Sequence, residues 1–416
     1  MESPIDPRSW KFLFHAGAAA FTTSVLWSLW LQRRHDLASL SEPLSALRKA
    51  LRSNAQEAVG GALQDILEVL QEEQRSKKGG ARLALFKDSD LLLKAIKLSD
   101  DGSNADTAEV ALRIVGRVFC SDADGRYRLY RSGGYRVLIS TLGKAYQQGH
   151  RRLMEAAAAT LHAATEVDDD EVILDNDVPH GAEGIANLAA YNSTVNMLRL
   201  LDPNAPIVFL NSLTGIFANV CCLRVGSLAV GKGIDGKTGV SFFLNLLDHG
   251  NQGIVEHCAV AIRFLARNKV GHAELAQEDA VRRLARIFDA NKDPRITNAV
   301  LTVILIMSHS KDHRKQFLET VANKSDIIQT LFIVWCRGAE KSTRDRADWL
   351  VHALERTPEC AVAVRHGFER NRSNIQERKT KDEEARRKQM QQAKQQQMMQ
   401  QMMMMQEMGG MEGMME

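Results

Sequence analysis

The chain has 416 residues, with 54 Lys and Arg against 51 Asp and Glu, and a formal charge of +3. Hydrophobic residues make up 44% and charged residues 25%, which excludes a wholly disordered or collagen-like chain. The near balance of charge argues against a bulk nucleic-acid binder, which needs a strong basic excess to neutralise phosphates.

The first segment is Phe12 to Leu31, FLFHAGAAAFTTSVLWSLWL. It is 20 residues long and carries no formal charge beyond a possible one on His15. A helix of that length spans about 30 Å, roughly one hydrocarbon core. Trp10 stands at one edge and Trp27 and Trp30 near the other, where indoles favour the interface. Glu2 and Asp6 cancel Arg8 and Lys11, while Arg33 and Arg34 come directly after the span. Positive charge on the C-terminal side predicts that the rest of the chain stays in the cytosol. Residues 1–36 are therefore read as a membrane anchor. A cleaved signal peptide and a buried core helix are the rival readings.

Residues 37–80 hold Leu44, Leu47, Leu51, Val59, Leu63, Ile66 and Leu70 at helical spacing, weakened at Gly60-Gly61. That helix is a juxtamembrane spacer or the first layer of a helical array. Lys77-Lys78-Gly79-Gly80 ends it.

Residues 81–368 alternate helical runs of roughly 10 to 16 residues with short polar turns, and no strand ladder stands out. The segment from Gly239 and the segment from Ala280 are self-similar at an offset of 41 or 42 residues. Val240 pairs with Val281, Leu247 with Phe288, Ile254 with Ile296 and Leu265 with Met307. Gly134–Leu142 with the run from Arg151, and Ile327–Trp335 with the run from Thr343, echo the same unit. A period near 42 suits armadillo or HEAT repeats, whose units cannot bury their apolar faces alone and share one core by stacking. Glu155-Ala156-Ala157-Ala158-Ala159-Thr160-Leu161 and Glu256-His257-Cys258-Ala259-Val260-Ala261-Ile262 carry an E-x-A-x-x-A-L-like third helix. In these residues the chain resembles the armadillo family.

That resemblance implies a concave surface lined by the third helices. In the register of nuclear-import armadillo proteins, Val260 and Phe264, then Leu301 and Leu305, and in an earlier unit Ala159 and Ala163, occupy the Trp and Asn positions, and only Trp349, with Ala353 after it, supplies a Trp. The missing ladder argues against nuclear-signal binding. The expected groove is apolar and suits hydrophobic or amphipathic segments; the alternative is that these side chains are core.

Between repeats, seven acidic residues fall within Glu166–Asp177, with Asp168, Asp169, Asp170 and Glu171 at their centre. They form either an acidic patch for basic targeting peptides or a solvated loop. Gly231 to Thr238 matches G-x-x-x-x-G-K-[ST], in which Gly231, Gly236, Lys237 and Thr238 would hold a nucleotide phosphate. Only Ser227–Val230 precedes it, too short to supply the strand a phosphate loop needs, so a glycine-rich loop between repeats is preferred. The cysteines, Cys120, Cys221, Cys222, Cys258, Cys336 and Cys360, contain no C-x-x-C pair. They read as reduced thiols. His309 and His313 lack an H-E-x-x-H context, so no metal is expected, and no catalytic set or cofactor emerges.

Residues 369–416 are first highly charged and then rich in Gln and Met. Eleven of the 15 Met lie between Met390 and Met415. This segment is a solvated helix and flexible tail, and resembles the tails of cochaperones that hold hydrophobic segments.

The expected fold is all-α: an armadillo/HEAT-like solenoid with an N-terminal transmembrane helix and a charged, Met/Gln-rich tail. The layout resembles the anchored armadillo receptors of the atypical mitochondrial outer-membrane translocase of kinetoplastids. The resemblance implies a non-enzymatic receptor on the cytosolic face of that membrane, with precursor proteins and other translocase subunits as partners. A membrane-tethered scaffold in another pathway is the alternative.

Overall fold

The computed structural model describes residues 40–75, 85, 89–98, 104–167, 178, 180–189, 192–289, 293–323, 326–338 and 340–412, with side chains to 400 apart from 73, 89, 98, 189, 192 and 193. The predicted span Phe12–Leu31 and the acidic residues Asp168, Asp169, Asp170 and Glu171 lie outside the described residues. Among the described residues no helix is long and apolar enough to cross a membrane. They are helical almost throughout, with one isolated two-residue bridge between Ile234 and Lys237. They divide into two compact units, one up to Gly271 and one from His272.

The first unit opens with α1 (residues 40–53) and α2 (Gln56–Arg75). The periodicity suggests one helix here, but the chain breaks at Asn54, whose φ is 55°. Asn tolerates this left-handed conformation because its short side chain can bond locally. Gly60 and Gly61 fall inside α2 without ending it. Next come α3 (Ser89–Leu98), α4 (Ala105–Phe119), α5 (Ala123–Arg131), α6 (Gly134–Gln148) and α7 (Arg151–Ala164). After a connection come α8 (Glu183–Ala189), α9 (Asn192–Asn196) with a short 3₁₀ turn, α10 (Ile207–Cys221), α11 (Arg224–Lys232), α12 (Gly239–Leu246) and α13 (Gln252–Arg267).

Local chemistry starts these helices where they start. Asp122 caps α5 by accepting from the Gly125 amide at 2.7 Å. Thr238 caps α12 and Asn251 caps α13 through the amides of Ser241 and Ile254. Each satisfies an amide that the first turn leaves without a partner. The turn from α10 to α11 is tight enough that a Cβ on Gly226 would lie 1.9 Å from the Val220 carbonyl oxygen.

Packing follows the helical period. In α2 the stripe Leu63, Ile66, Leu67 and Leu70 is buried, and α2 lies against α4. This helix is thus the first layer of the unit. The row continues from α4 to α7, α10 and α13, each beside the next. Phe209, Phe217 and Phe243 are fully buried, and Phe217 meets Phe243 edge to face with centroids 5.8 Å apart. Each such side chain contributes roughly 1.5–3 kcal/mol by leaving water. Polar threads also join neighbouring layers. Thr160 donates to the Leu112 carbonyl at 3.2 Å, Asn219 to Thr165 Oγ1 at 3.2 Å, and Asn268 to Ser227 Oγ at 3.0 Å.

The second unit contains α14 (His272–Leu275), α15 (Glu278–Ile287), α16 (Pro294–Ser308), α17 (Arg314–Asn323), α18 (Ile327–Arg337), α19 (Lys341–Glu355), α20 (Ala361–Arg370) and α21 (Arg372–Glu412). Asp293 caps α16 through the Arg295 amide at 2.8 Å, with Pro294 at its first position. Helix α16 packs on α19, and α18 packs on both α19 and α20. Val300, Ile304, Phe332, Val351 and Leu354 are fully buried among them. The base of α21 is held by Arg378, whose guanidinium reaches the Trp335 carbonyl and the carboxylates of Asp345 and Asp382. From residue 379 to residue 400 every side chain is exposed. Met390, Met398 and Met399 are among them.

The eight self-similar residues are all core: Val240, Leu247, Ile254 and Leu265 in the first unit, and Val281, Phe288, Ile296 and Met307 in the second. The repeat in the sequence is therefore a repeat of buried positions.

Candidate functional site

The row α4, α7 and α10 carries a groove of about 830 Å³ on its solvent side. Its floor is made by Gly116 of α4 and by Ala156, Ala159, Thr160 and Ala163 of α7, with Val208 of α10 at one edge. The small residues recur at i, i+3 and i+4, so one helical face of α7 presents almost no side chain. The hydrogen bond from Thr160 to the Leu112 carbonyl sets α7 against α4 and turns the Thr160 hydroxyl inward. Val208 is 57% exposed and its neighbour Ile207 54% exposed, which is unusual for β-branched side chains with a core to join.

Charged groups rim this floor: Glu109, Arg113 and Arg117 from α4, and Arg152 and Glu155 from α7. The two carboxylates are engaged on their own helices. Glu109 pairs with Arg113, and Glu155 accepts from Arg151 Nε at 2.9 Å. A smaller hollow of about 440 Å³ adjoins at Arg117, lined also by Gln71, Gln74 and Arg75.

Polar groups line up under the same row. His257 of α13 contacts the Asn211 carbonyl at 3.1 Å and Thr214 Oγ1 at 3.3 Å through Nδ1. Its ring meets that of His162. Burial, with the nearby His257 as the second cause, pushes the His162 imidazole down to about 4. Burial also raises the thiols of Cys221 and Cys258 well above their ordinary range, with Cys222 adding to the effect at Cys221. These thiols stay protonated and act as small apolar groups.

The expected groove residues divide by helical phase. Phe264 is 3% exposed and Leu301 2% exposed. Both are core, which corrects the reading that placed them on the binding surface. Val260 and Leu305 are half-buried. Trp349 is 54% exposed and stacks on His309 with centroids 6.5 Å apart. The solvent faces of α13 and α16 instead run through Glu256, Val260, Arg263 and Arg267, and through Asn298, Thr302, Leu305 and His309. A shift of one residue turns a side chain by about 100°, enough to exchange core for surface. Arg263 lies over the Phe264 ring at 4.4 Å.

The segment Gly231–Thr238 does not have the architecture of a phosphate loop. Gly231 belongs to the last turn of α11, so a helix precedes the loop where a strand is required. Asp235 and Gly236 form a tight turn with φ of 55° and 76°, closed by the Ile234–Lys237 pair. Arg199 holds Asp235 with two hydrogen bonds of 2.8 Å, and the Thr238 hydroxyl is used as the cap of α12. Lys237 is exposed.

The groove of α4, α7 and α10 was visible in the sequence only through Ala159 and Ala163, the two register positions of that unit, which line it together with Ala156, Thr160, Gly116 and Val208. The other small residues of the floor suggest no more than close helix packing.

No protein-family model matches the chain, and no curated protein matches it in sequence. Solved structures do resemble it. A designed armadillo repeat protein in complex with the peptide (KR)4 is 14% identical, with 63% of this chain and 98% of that one covered and a TM-score of 0.48. A β-catenin structure concerned with the phosphorylation-controlled interaction with cadherin is 15% identical, with 77% of this chain and 71% of that one covered and a TM-score of 0.52. The likeness to β-catenin is one of fold: the described helices form an armadillo-type repeat array.

Proposed function

We propose that this chain is a non-enzymatic receptor that holds segments of other proteins against the groove of α4, α7 and α10. The observation that carries the reading is the groove itself, a small-residue floor running across three adjacent helices beside the exposed Val208. Such a surface admits another chain's side chains and offers no set of acid, base and nucleophile. The β-catenin structure with the same fold concerns an interaction with a partner protein, cadherin, which agrees with a binding role.

The finer reading rests on the sequence. Phe12–Leu31 followed by Arg33 and Arg34 tethers the array to a membrane with its bulk in the cytosol. The membrane is the mitochondrial outer membrane, the held segments belong to precursors awaiting import, and other translocase subunits stand beside the anchor. Tethering raises the local concentration of the groove, so several weak contacts suffice and the cargo can still be passed on.

Protease protection on fractionated organelles carrying a C-terminally tagged chain tests this. The expected result is a mitochondrial tag that external protease removes, on a protein that resists carbonate extraction. A tag protected inside the organelle reverses the topology and removes the receptor reading. A tag on another membrane keeps the binding scaffold and discards import.

A further inference from the structure

The groove is apolar along its floor but not neutral at its ends. Glu109 and Glu155 are each taken by an arginine of their own helix. Arg117 and Arg152, which line the same groove, make no ion pair among the described residues. Two guanidinium groups that no described carboxylate pairs with thus line a shallow cleft, beside an exposed aliphatic side chain, Val208.

Their separation follows from the packing. A Cβ on Gly116 would lie 3.7 Å from Thr160 Oγ1, so Gly116 and Thr160 stand level across α4 and α7. Arg117 follows Gly116 directly. Arg152 precedes Thr160 by eight residues, about 12 Å along the helix at 1.5 Å per residue. Arg152 stands ahead of Ala156, the first floor alanine, and Arg117 stands level with Thr160, past Ala156 and Ala159.

We infer that the groove takes an acidic segment of a partner protein, with an aliphatic residue between two carboxylates about 12 Å apart along the groove axis. In an extended segment that distance is about four residues at roughly 3.3 Å each. One carboxylate meets Arg117, the other meets Arg152, and the aliphatic side chain rests on Ala156 and Ala159 against Val208. Arginine suits this role because its planar fork pairs with carboxylates through two hydrogen bonds. The same charges disfavour basic amphipathic peptides at this site. The inference rests on the groove being the partner site and adds the chemistry of the partner.

The test is fluorescence anisotropy of the full chain with three labelled peptides of one length. They carry Asp-Gly-Leu-Gly-Asp, Asn-Gly-Leu-Gly-Asn or Lys-Gly-Leu-Gly-Lys in a neutral setting. The acidic peptide is expected to bind about tenfold tighter than the amide peptide. Its advantage should shrink as salt rises from about 50 to about 300 mM. Arg117→Glu with Arg152→Glu should transfer the preference to the lysine peptide. Ala159→Trp, at an exposed position, should remove binding of all three. Equal binding of the acidic and amide peptides, or a preference untouched by charge reversal, overturns the inference and leaves the groove as the site. Binding untouched by Ala159→Trp, or no binding by any peptide, overturns both.

Discussion

His162 of α7 and His257 of α13 meet edge to face, with ring centroids 5.2 Å apart, in space that Gly215 of the intervening α10 leaves open. A Cβ on Gly215 would lie 2.2 Å from His162 Nε2. Three layers of the first unit are thus keyed together at one point, by two imidazoles and a missing side chain.

This contact makes the unit sensitive to acid. The His162 imidazole is pushed down to about 4, whereas an unfolded histidine titrates near 6.5. Above the unfolded value both states are neutral and stability is flat. Between about 6.5 and about 4 the unfolded chain takes up a proton that the folded chain refuses, so stability falls as pH falls. The full loss is about 3–4 kcal/mol at most, from a difference of about 2.5 at 1.36 kcal/mol per unit of pKa. Thermal midpoints measured from neutral pH down to pH ~5 should drop more steeply for the natural chain than for His162→Phe. Parallel curves would show that His162 is not the titrating group.

Gly215→Ala should destabilise the first unit by about 1–3 kcal/mol, the usual cost of forcing atoms into a filled space. The cost should shrink sharply when His162→Ala accompanies it, because the clash is with that ring. A double-mutant cycle by chemical denaturation reads the coupling. Strict additivity would mean that the ring moves aside at no cost.

Helical phase predicts opposite outcomes for residues that the repeat register assigns to one surface. Phe264→Asp and Leu301→Asp place a charge at sites 3% and 2% exposed. They should cost more than about 3 kcal/mol and lower helical content by circular dichroism. Trp349→Ala, at a site 54% exposed, should leave the midpoint within a few degrees of the natural chain. A folded Phe264→Asp variant would return that residue to the surface.

Removing residues 389–416 should leave the thermal midpoint unchanged, since every described side chain from 379 to 400 is exposed. Arg378→Ala should lower it, because that guanidinium fastens the base of α21 to Asp345 and the Trp335 carbonyl. Equal effects of the two changes would mean that the distal helix packs on the array.

The repeat was legible because burial recurs with the helical period. Val240 and Val281 are core for the same reason, and no neighbour is needed to see the pattern. The caps Asp122, Asn251 and Asp293 act within three residues of themselves, yet only the structure identified them. The break at Asn54 was not legible, since an apolar stripe runs through it unchanged and only the backbone conformation separates the two helices. The same limit applied to the groove register. Phe264 and Arg263 differ by one position, and periodicity alone assigns a phase no better than that.

By itself the sequence determined that the chain is helical and repetitive, because those properties follow from spacing along one chain. Only the tertiary structure decided where a surface capable of binding lies. The repeat register gave Ala159 and Ala163 a common face, but they become the floor of a groove with Ala156 and Thr160 only when α4 and α10 stand on either side of them. Arg117 and Arg152 are distant in sequence until Thr160 docks on Gly116 and offsets them by about 12 Å along the helix axis. Spacing along a chain fixes which residues share a face, whereas the distance between faces depends on how the helices pack.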